Sequence, residues 1–222
     1  MNKLLNYKFP LRYVFYVLGT MILLLALALP ALADDHELWV DKEIYQVWYD
    51  EALEQPTRVT YWVKDRPKNV DRKGMNFYKE ADFHTSDDKD YYMNVWDKGH
   101  IAPAAHFSDS KENLKATFSY LNSALQHEKL NRGAWRFLEA QVRKWGEDEL
   151  LFVENDIYFS PDSEVLPTGA TVPDGFQKNI EFTETGRKKC FFFPNEAPDG
   201  KWQEYEIPCL DTYIDIPDGI RG

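Results

Sequence analysis

Apolar and polar positions alternate early in the chain. Val59, Tyr61 and Val63 are spaced by two within Arg58 to Lys64, and an earlier apolar run covers Ile44 to Tyr49. With an EQP turn between them, the two runs predict a pair of strands. The following DRPKNVDRKGMNFYKEAD stretch is polar, with one Pro and one Gly, and reads as a surface loop. Tyr91 to Trp96 reads as a strand, and so does the short run Thr117 to Leu121, which leads into a turn. The periodicity then changes. Trp135, Leu138, Val142 and Trp145 recur at helical spacing, with Asn131 placed as an N-cap and Gly146 as a C-cap. ELLFVENDIYFS, EFTETGRKKCFFFPNE and EYEIPCLDTYIDI are again strand-rich. Strands on both sides of one long helix predict an α+β fold: a single domain with a mixed or antiparallel sheet.

The first 33 residues read as a separate object. Lys3, Lys8 and Arg12 precede an apolar run from Tyr13 to Leu29, and Ala31 and Ala33 then stand in the small-x-small arrangement of a cleavage site. This pattern predicts a secretory signal cut after Ala33, followed by one domain over 34–222. An uncleaved N-terminal anchor is the alternative. Either way the body is exported, to a periplasm or to the medium, and after cleavage no stable membrane association is expected. In such a compartment Cys190 and Cys209 suggest one disulfide, worth roughly 3 kcal/mol by chain entropy. Without a CxxC pair, a zinc site is not expected.

Charge narrows the function classes. The whole chain carries −11, and −14 once Lys3, Lys8 and Arg12 are removed. The chain is therefore a poor candidate for holding nucleic acid by bulk attraction, and any phosphate chemistry needs a local basic cluster or a metal.

Two segments carry candidate chemistry. WDKGHIAPAAHFS puts Asp97, Lys98 and Gly99 directly before His100, at the end of a strand. A lone histidine there is more often structural than catalytic. Downstream, LNSALQHEKLNRGAWRFLEAQVR places Asn122, Asn131, Glu139 and Arg143 within a short span. On a regular helix Asn131, Glu139 and Arg143 drift by only about 80° and 120°, so all three can border one side. Glu139 and Arg143, four apart, can touch. Taken singly these read as a cap and a solvated ion pair. Two strands, a helix and a strand-end histidine together make the arrangement called ββα-metal.

With those motifs the chain resembles the DNA/RNA non-specific endonucleases, the family of endonuclease G-like and secreted bacterial nucleases. The resemblance runs through WDKGHIAPAAHF and TFSYLNSALQHEKLNRGAWRFLE and, more loosely, GFQKNIEF and CFFFPNE. It implies a ββα-metal core with one long active-site helix, and metal-dependent hydrolysis of phosphodiester bonds in DNA and RNA. In that pattern His100 is the general base acting on water. Asn131 is the single protein ligand of a hydrated Mg²⁺, with Mn²⁺ as a substitute. Asn122 faces the same site and holds metal-bound water or phosphate. Glu139 accepts hydrogen bonds from the metal's waters, and Arg143 neutralises the scissile phosphate. Arg72 and Lys98 are further phosphate contacts. Lys98 replaces the family's usual arginine and lacks its bidentate fork. Leu125 replaces a proline before Gln126. Two other readings stay open: an inactive relative that binds nucleic acid or an envelope partner, and a phosphodiesterase acting on small nucleotides.

Overall fold

A computed structural model describes residues 37–209, so the signal segment 1–33 and the last residues of the 34–222 domain lie outside the described residues. The early alternation forms β1 (Glu37–Asp41), β2 (Tyr45–Asp50) and β3 (Gln55–Val63), each antiparallel to the next. β4 (Trp96–His100) and β5 (Ser123–His127) form a separate two-stranded sheet, with the short helix α1 (Lys111–Ala116) in the connection between them. The chain turns directly from β5 into the helix α2 (Glu128–Leu130) and on into α3 (Arg136–Trp145). β6 (Leu151–Tyr158), β7 (Gly175–Phe182), β8 (Arg187–Pro194) and β9 (Glu206–Ile207) complete the large sheet, ordered β1-β2-β3-β6-β7-β8-β9. Every neighbouring pair is antiparallel.

One face of this sheet is covered. Val59, Tyr61 and Val63, Leu151, Val153 and Ile157, and Phe176, Ile180 and Phe182 are all buried, as period-2 alternation requires of a half-covered sheet. Trp135, Leu138 and Val142 pack on that face from the helix side. Burying each such side chain contributes roughly 1.5–3 kcal/mol, and this stripe fixes how the helix lies. Gly146 ends α3, as expected, because a Cβ there would meet Val63 Cγ1 at 2.6 Å.

Two buried side-chain amides hold the small sheet in place. Gln55 Oε1 accepts from the Leu125 backbone N–H at 3.0 Å. Asn195 Oδ1 accepts from the His127 N–H at 2.8 Å, and its Nδ2 donates to Leu125 O and Pro173 O. The Cys190–Cys209 disulfide forms, with its Cα atoms 5.3 Å apart, beside the β8–β9 pair.

Three sequence expectations are corrected. Tyr91 to Trp96 is mostly turn: Met93 has φ +56° and Asn94 Nδ2 donates back to Asp90 O at 2.7 Å, so the strand begins only at Trp96. Thr117 to Leu121 is not a strand either. Ser119 accepts from Leu121 N–H and Asn122 Nδ2 donates to Thr117 O, which curls the chain and delays β5 to Ser123. Asn131 is not the helix N-cap. His127 caps the helix through Nδ1, and Asn131 sits in a wide π-type turn (Asn131–Trp135) interrupted at Gly133.

Candidate active site

β4 and β5 run side by side, so each residue of WDKGH faces a fixed partner: His100 lies opposite Ser123, Gly99 opposite Ala124 and Asp97 opposite Gln126. Gly99 is within the strand and makes no turn. It is a glycine because the buried Gln126 side chain crosses it, and a Cβ would come within 2.5 Å of Gln126 Oε1. His100 is thereby the last residue of its strand, at the rim of an open pocket of about 1270 Å³. Its ring packs between Phe77 and Phe118, at centroid distances of 4.7 and 4.8 Å. The residue as a whole is only partly buried, yet Nε2 is sealed from solvent and has no hydrogen-bond partner. Burial, and secondarily the Arg72 guanidinium, push the imidazole down to about 3. At neutral pH the ring is therefore uncharged.

The helix that follows β5 supplies the other side of the pocket. Asn131 Nδ2 donates to Asp97 Oδ2 at 2.8 Å, which leaves Oδ1 as the amide atom available to a cation. Arg132 grips the same carboxylate through Nε at 2.8 Å and Nη2 at 2.6 Å. Two turns further on, Glu139 also lines the pocket, with Oε1 sealed from solvent and the carboxylate met by the Trp135 indole. Burial pushes this carboxyl up to about 7, against the pull of Lys178 and Arg143.

Arg72, Lys98, Asn131, Glu139 and Arg143 thus line one pocket with His100. Lys98 stands there under a constraint the sequence did not announce. Its ammonium pairs with Asp88 and lies over the rings of Phe77, Tyr91 and Tyr120 at 5.4–5.7 Å. Asn122 does not join the pocket. It is fully buried, donates to Ala102 O and Thr117 O, and accepts from the Ala102 N–H, so its amide braces the backbone behind His100 and has no lone pair aimed at a ligand. His106 is buried too, with Nε2 3.2 Å from Glu139 O, holding the helix backbone. Missed from the sequence were Arg132 and Arg136, which line the pocket beside Arg143. Arg136 and Arg143, seven apart on one helix, share a flank by spacing, whereas Arg132 precedes the break at Gly133 and carried no such signal.

These groups fit a hydrated divalent cation. Among the described residues no three His, Cys, Asp or Glu side chains gather as a metal cage. One neutral amide oxygen and one carboxylate lining the same pocket suit an ion that keeps most of its waters, as Mg²⁺ does. Arg72, Arg136 and Arg143 supply on an acidic protein the local attraction that phosphate requires, while Lys98 and Arg132 are paired with Asp88 and Asp97.

Known proteins share this architecture. A chain in the crystal structure of the EndoG/EndoGI complex superposes with a TM-score of 0.68 at 24% identity, covering 77% of this chain and 80% of that one; at this identity the likeness speaks for the fold. Human mitochondrial endonuclease G is 31% identical over 111 residues, 46% of this chain and 36% of its own length. A nuclease of Syncephalastrum racemosum is 30% identical over 126 residues, 51% of this chain and 38% of its own. The chain therefore spans little more than a third of either curated relative. The model of the DNA/RNA non-specific endonucleases, by contrast, matches residues 33–215, taking in both small-sheet strands, the helix and the whole large sheet, and on that match the chain belongs to the DNA/RNA non-specific endonuclease family.

Proposed function

We propose that this chain hydrolyses phosphodiester bonds within DNA and RNA, without sequence preference, using Mg²⁺ or, in its place, Mn²⁺. One observation carries the reading: His100, Asn131 and Glu139 line one pocket bordered by arginines.

In this reading His100, held neutral by burial, takes a proton from the attacking water. Asn131 holds the metal through Oδ1, kept in that orientation by Asp97. Glu139 would accept hydrogen bonds from water brought in by the metal. Arg143 and Arg72 bind the phosphate oxygens and offset the charge that builds there. A bound Mg²⁺ supplies Lewis acidity and stabilises the leaving oxygen. Lys98 reaches phosphate only on leaving Asp88.

Export belongs to the same proposal. The Cys190–Cys209 bridge supports it, since such bonds persist outside reducing compartments. A mature N-terminus at Asp34, read by mass spectrometry, is the expected result.

The test uses purified mature protein with Mg²⁺ at low salt, acting on plasmid DNA and on RNA. Cleavage of both, lost with EDTA and lost in a folded His100→Ala variant, supports the proposal. No metal-dependent cleavage by the wild type across moderate pH would overturn it in favour of a non-catalytic binding protein.

A further inference from the structure

α3 turns Leu138 and Val142 into the core, and five of its other residues line the active-site pocket. At 100° per residue their order around the helix is Glu139, Arg143, Arg136, Ala140 and Phe137, a sweep of about 160°. The chemistry changes along that sweep, from a carboxylate through two arginines to an apolar edge. Neither metal binding nor proton transfer gives the apolar edge anything to do.

Phe137 is 55% exposed. One apolar side chain in water is ordinary on a protein surface, but this one belongs to the wall of the pocket that holds His100. The Arg136 guanidinium lies over its ring, 4.9 Å from the centroid, and is held by no carboxylate among the described residues. Ala140, three positions on and also exposed, has only a methyl group to lay beside the ring. A flat apolar shelf therefore stays open next to a free cation. The pocket, at about 1270 Å³, is far larger than a hydrated ion and one phosphate would fill. A wall built only to carry phosphate would gain from a cation at position 137, and a wall facing only water would gain from a polar residue. Phenylalanine suits neither.

We propose that Phe137 and Ala140 form a stacking shelf for one unpaired base of the substrate, while Arg136 holds a phosphate of the same strand. This deepens the nuclease reading and rests on it for its kinetic consequence, which is that strands with unpaired bases, in DNA or RNA, are cut ahead of intact duplex. Every base has a π face, so such a shelf adds affinity without reading sequence. In a duplex both faces of a base are already covered by its neighbours, and the ring gains nothing. An unstacked base leaves a face free for an aromatic side chain.

Two measurements test this, each on the wild type, Phe137→Ala and Phe137→Trp. The ring is exposed, so both variants should fold, and thermal melts check that they do. The first measures binding by the mature protein at low salt, with EDTA present so that nothing is cut. The probes are a labelled oligothymidine and an abasic oligomer of the same length, which keeps the phosphates and lacks the bases. The wild type should prefer the base-bearing strand by about tenfold, Phe137→Ala should lose most of that preference, and Phe137→Trp should restore it. A preference absent in the wild type, or unchanged in Phe137→Ala, overturns the proposal and assigns the ring to another partner. The second measures, with Mg²⁺, the ratio of kcat/KM on a single strand to kcat/KM on the same sequence in duplex. The ratio should fall several-fold in Phe137→Ala and recover in Phe137→Trp, and a ratio that does not move overturns the proposal. A wild type that shows the binding preference but cuts nothing ends the nuclease reading and leaves the shelf standing. One that cuts, with neither ratio dependent on Phe137, ends the shelf and leaves the nuclease reading standing.

Discussion

Asp97 Oδ2 and Asn131 Nδ2 are joined by a 2.8 Å hydrogen bond that ties β4 to the start of the helix and fixes which atom of the amide is free. Arg132 binds the same carboxylate by two further bonds, so Asp97 cannot rotate away. Replacing Asp97 by Ala should release the Asn131 amide and let it flip, while Arg132 keeps its pair with Glu128. The Mg²⁺ concentration for half-maximal cleavage should rise about 10–100-fold, the usual cost of losing a ligand's supporting contact. An unchanged metal requirement would show that Asn131 needs no such support.

The pH dependence of kcat/KM should be set by Glu139. Its folded-state pKa is raised to about 7, so the carboxylate is present above that pH and lost as pH falls through it. His100 stays neutral throughout this range, being lowered to about 3. Activity should therefore rise through pH 7, with the free enzyme's acid limb there. In Glu139→Gln the residual activity should be lower by about 10²–10⁴-fold and flat across that limb. A limb that persists unmoved in Glu139→Gln assigns it to another group.

Lys98 is held off phosphate by Asp88, which also accepts from Tyr120 OH at 2.6 Å. Asp88→Asn should free the ammonium. KM for nucleic acid at low salt should fall a few-fold, and its salt dependence should steepen. The Asp88 side chain is 84% exposed, so the fold should tolerate the change. If KM does not move, Lys98 serves the aromatic cage of Phe77, Tyr91 and Tyr120 and not the substrate.

Reduction should cost stability without touching the pocket. Cys190–Cys209 closes a loop of 19 residues around β9, far in sequence from the site segments. Cys209→Ser should lower unfolding free energy by about 3 kcal/mol in urea titrations and leave kcat unchanged. Equal stability with and without reductant would mean that the loop closes on its own.

Much of this architecture was legible in the residues. Val59, Tyr61 and Val63 announced β3 by alternation, and Trp135, Leu138, Val142 and Trp145 announced the buried face of the helix. Legibility failed where side chains outvoted periodicity. Asn94, Ser119 and Asn122 bond to nearby backbone and so displaced the strands expected at Tyr91 to Trp96 and Thr117 to Leu121. The site followed the same rule. The motifs placed His100, Asn131, Glu139, Arg143, Arg72 and Lys98, and the fold brings all six to one pocket. Asn122 was misplaced because an asparagine that braces backbone and one that binds a ligand look alike in sequence. Lys178 was unreadable as a core residue, since a lysine in a strand ordinarily points to water.

The wide turn over Asn131–Trp135 has its own consequence. With Gly133 at φ −109° and ψ −115°, the helix is not one stiff rod. Its front rides on Asp97 of the small sheet, and its back rides on the large sheet through Trp135, Leu138 and Val142. The separation of the Asn131 amide from the Glu139 carboxylate is therefore a joint property of two seatings that can slacken independently. On gradual heating the enzyme should fall silent several degrees before its circular dichroism changes, and cooling from that interval should restore it in full.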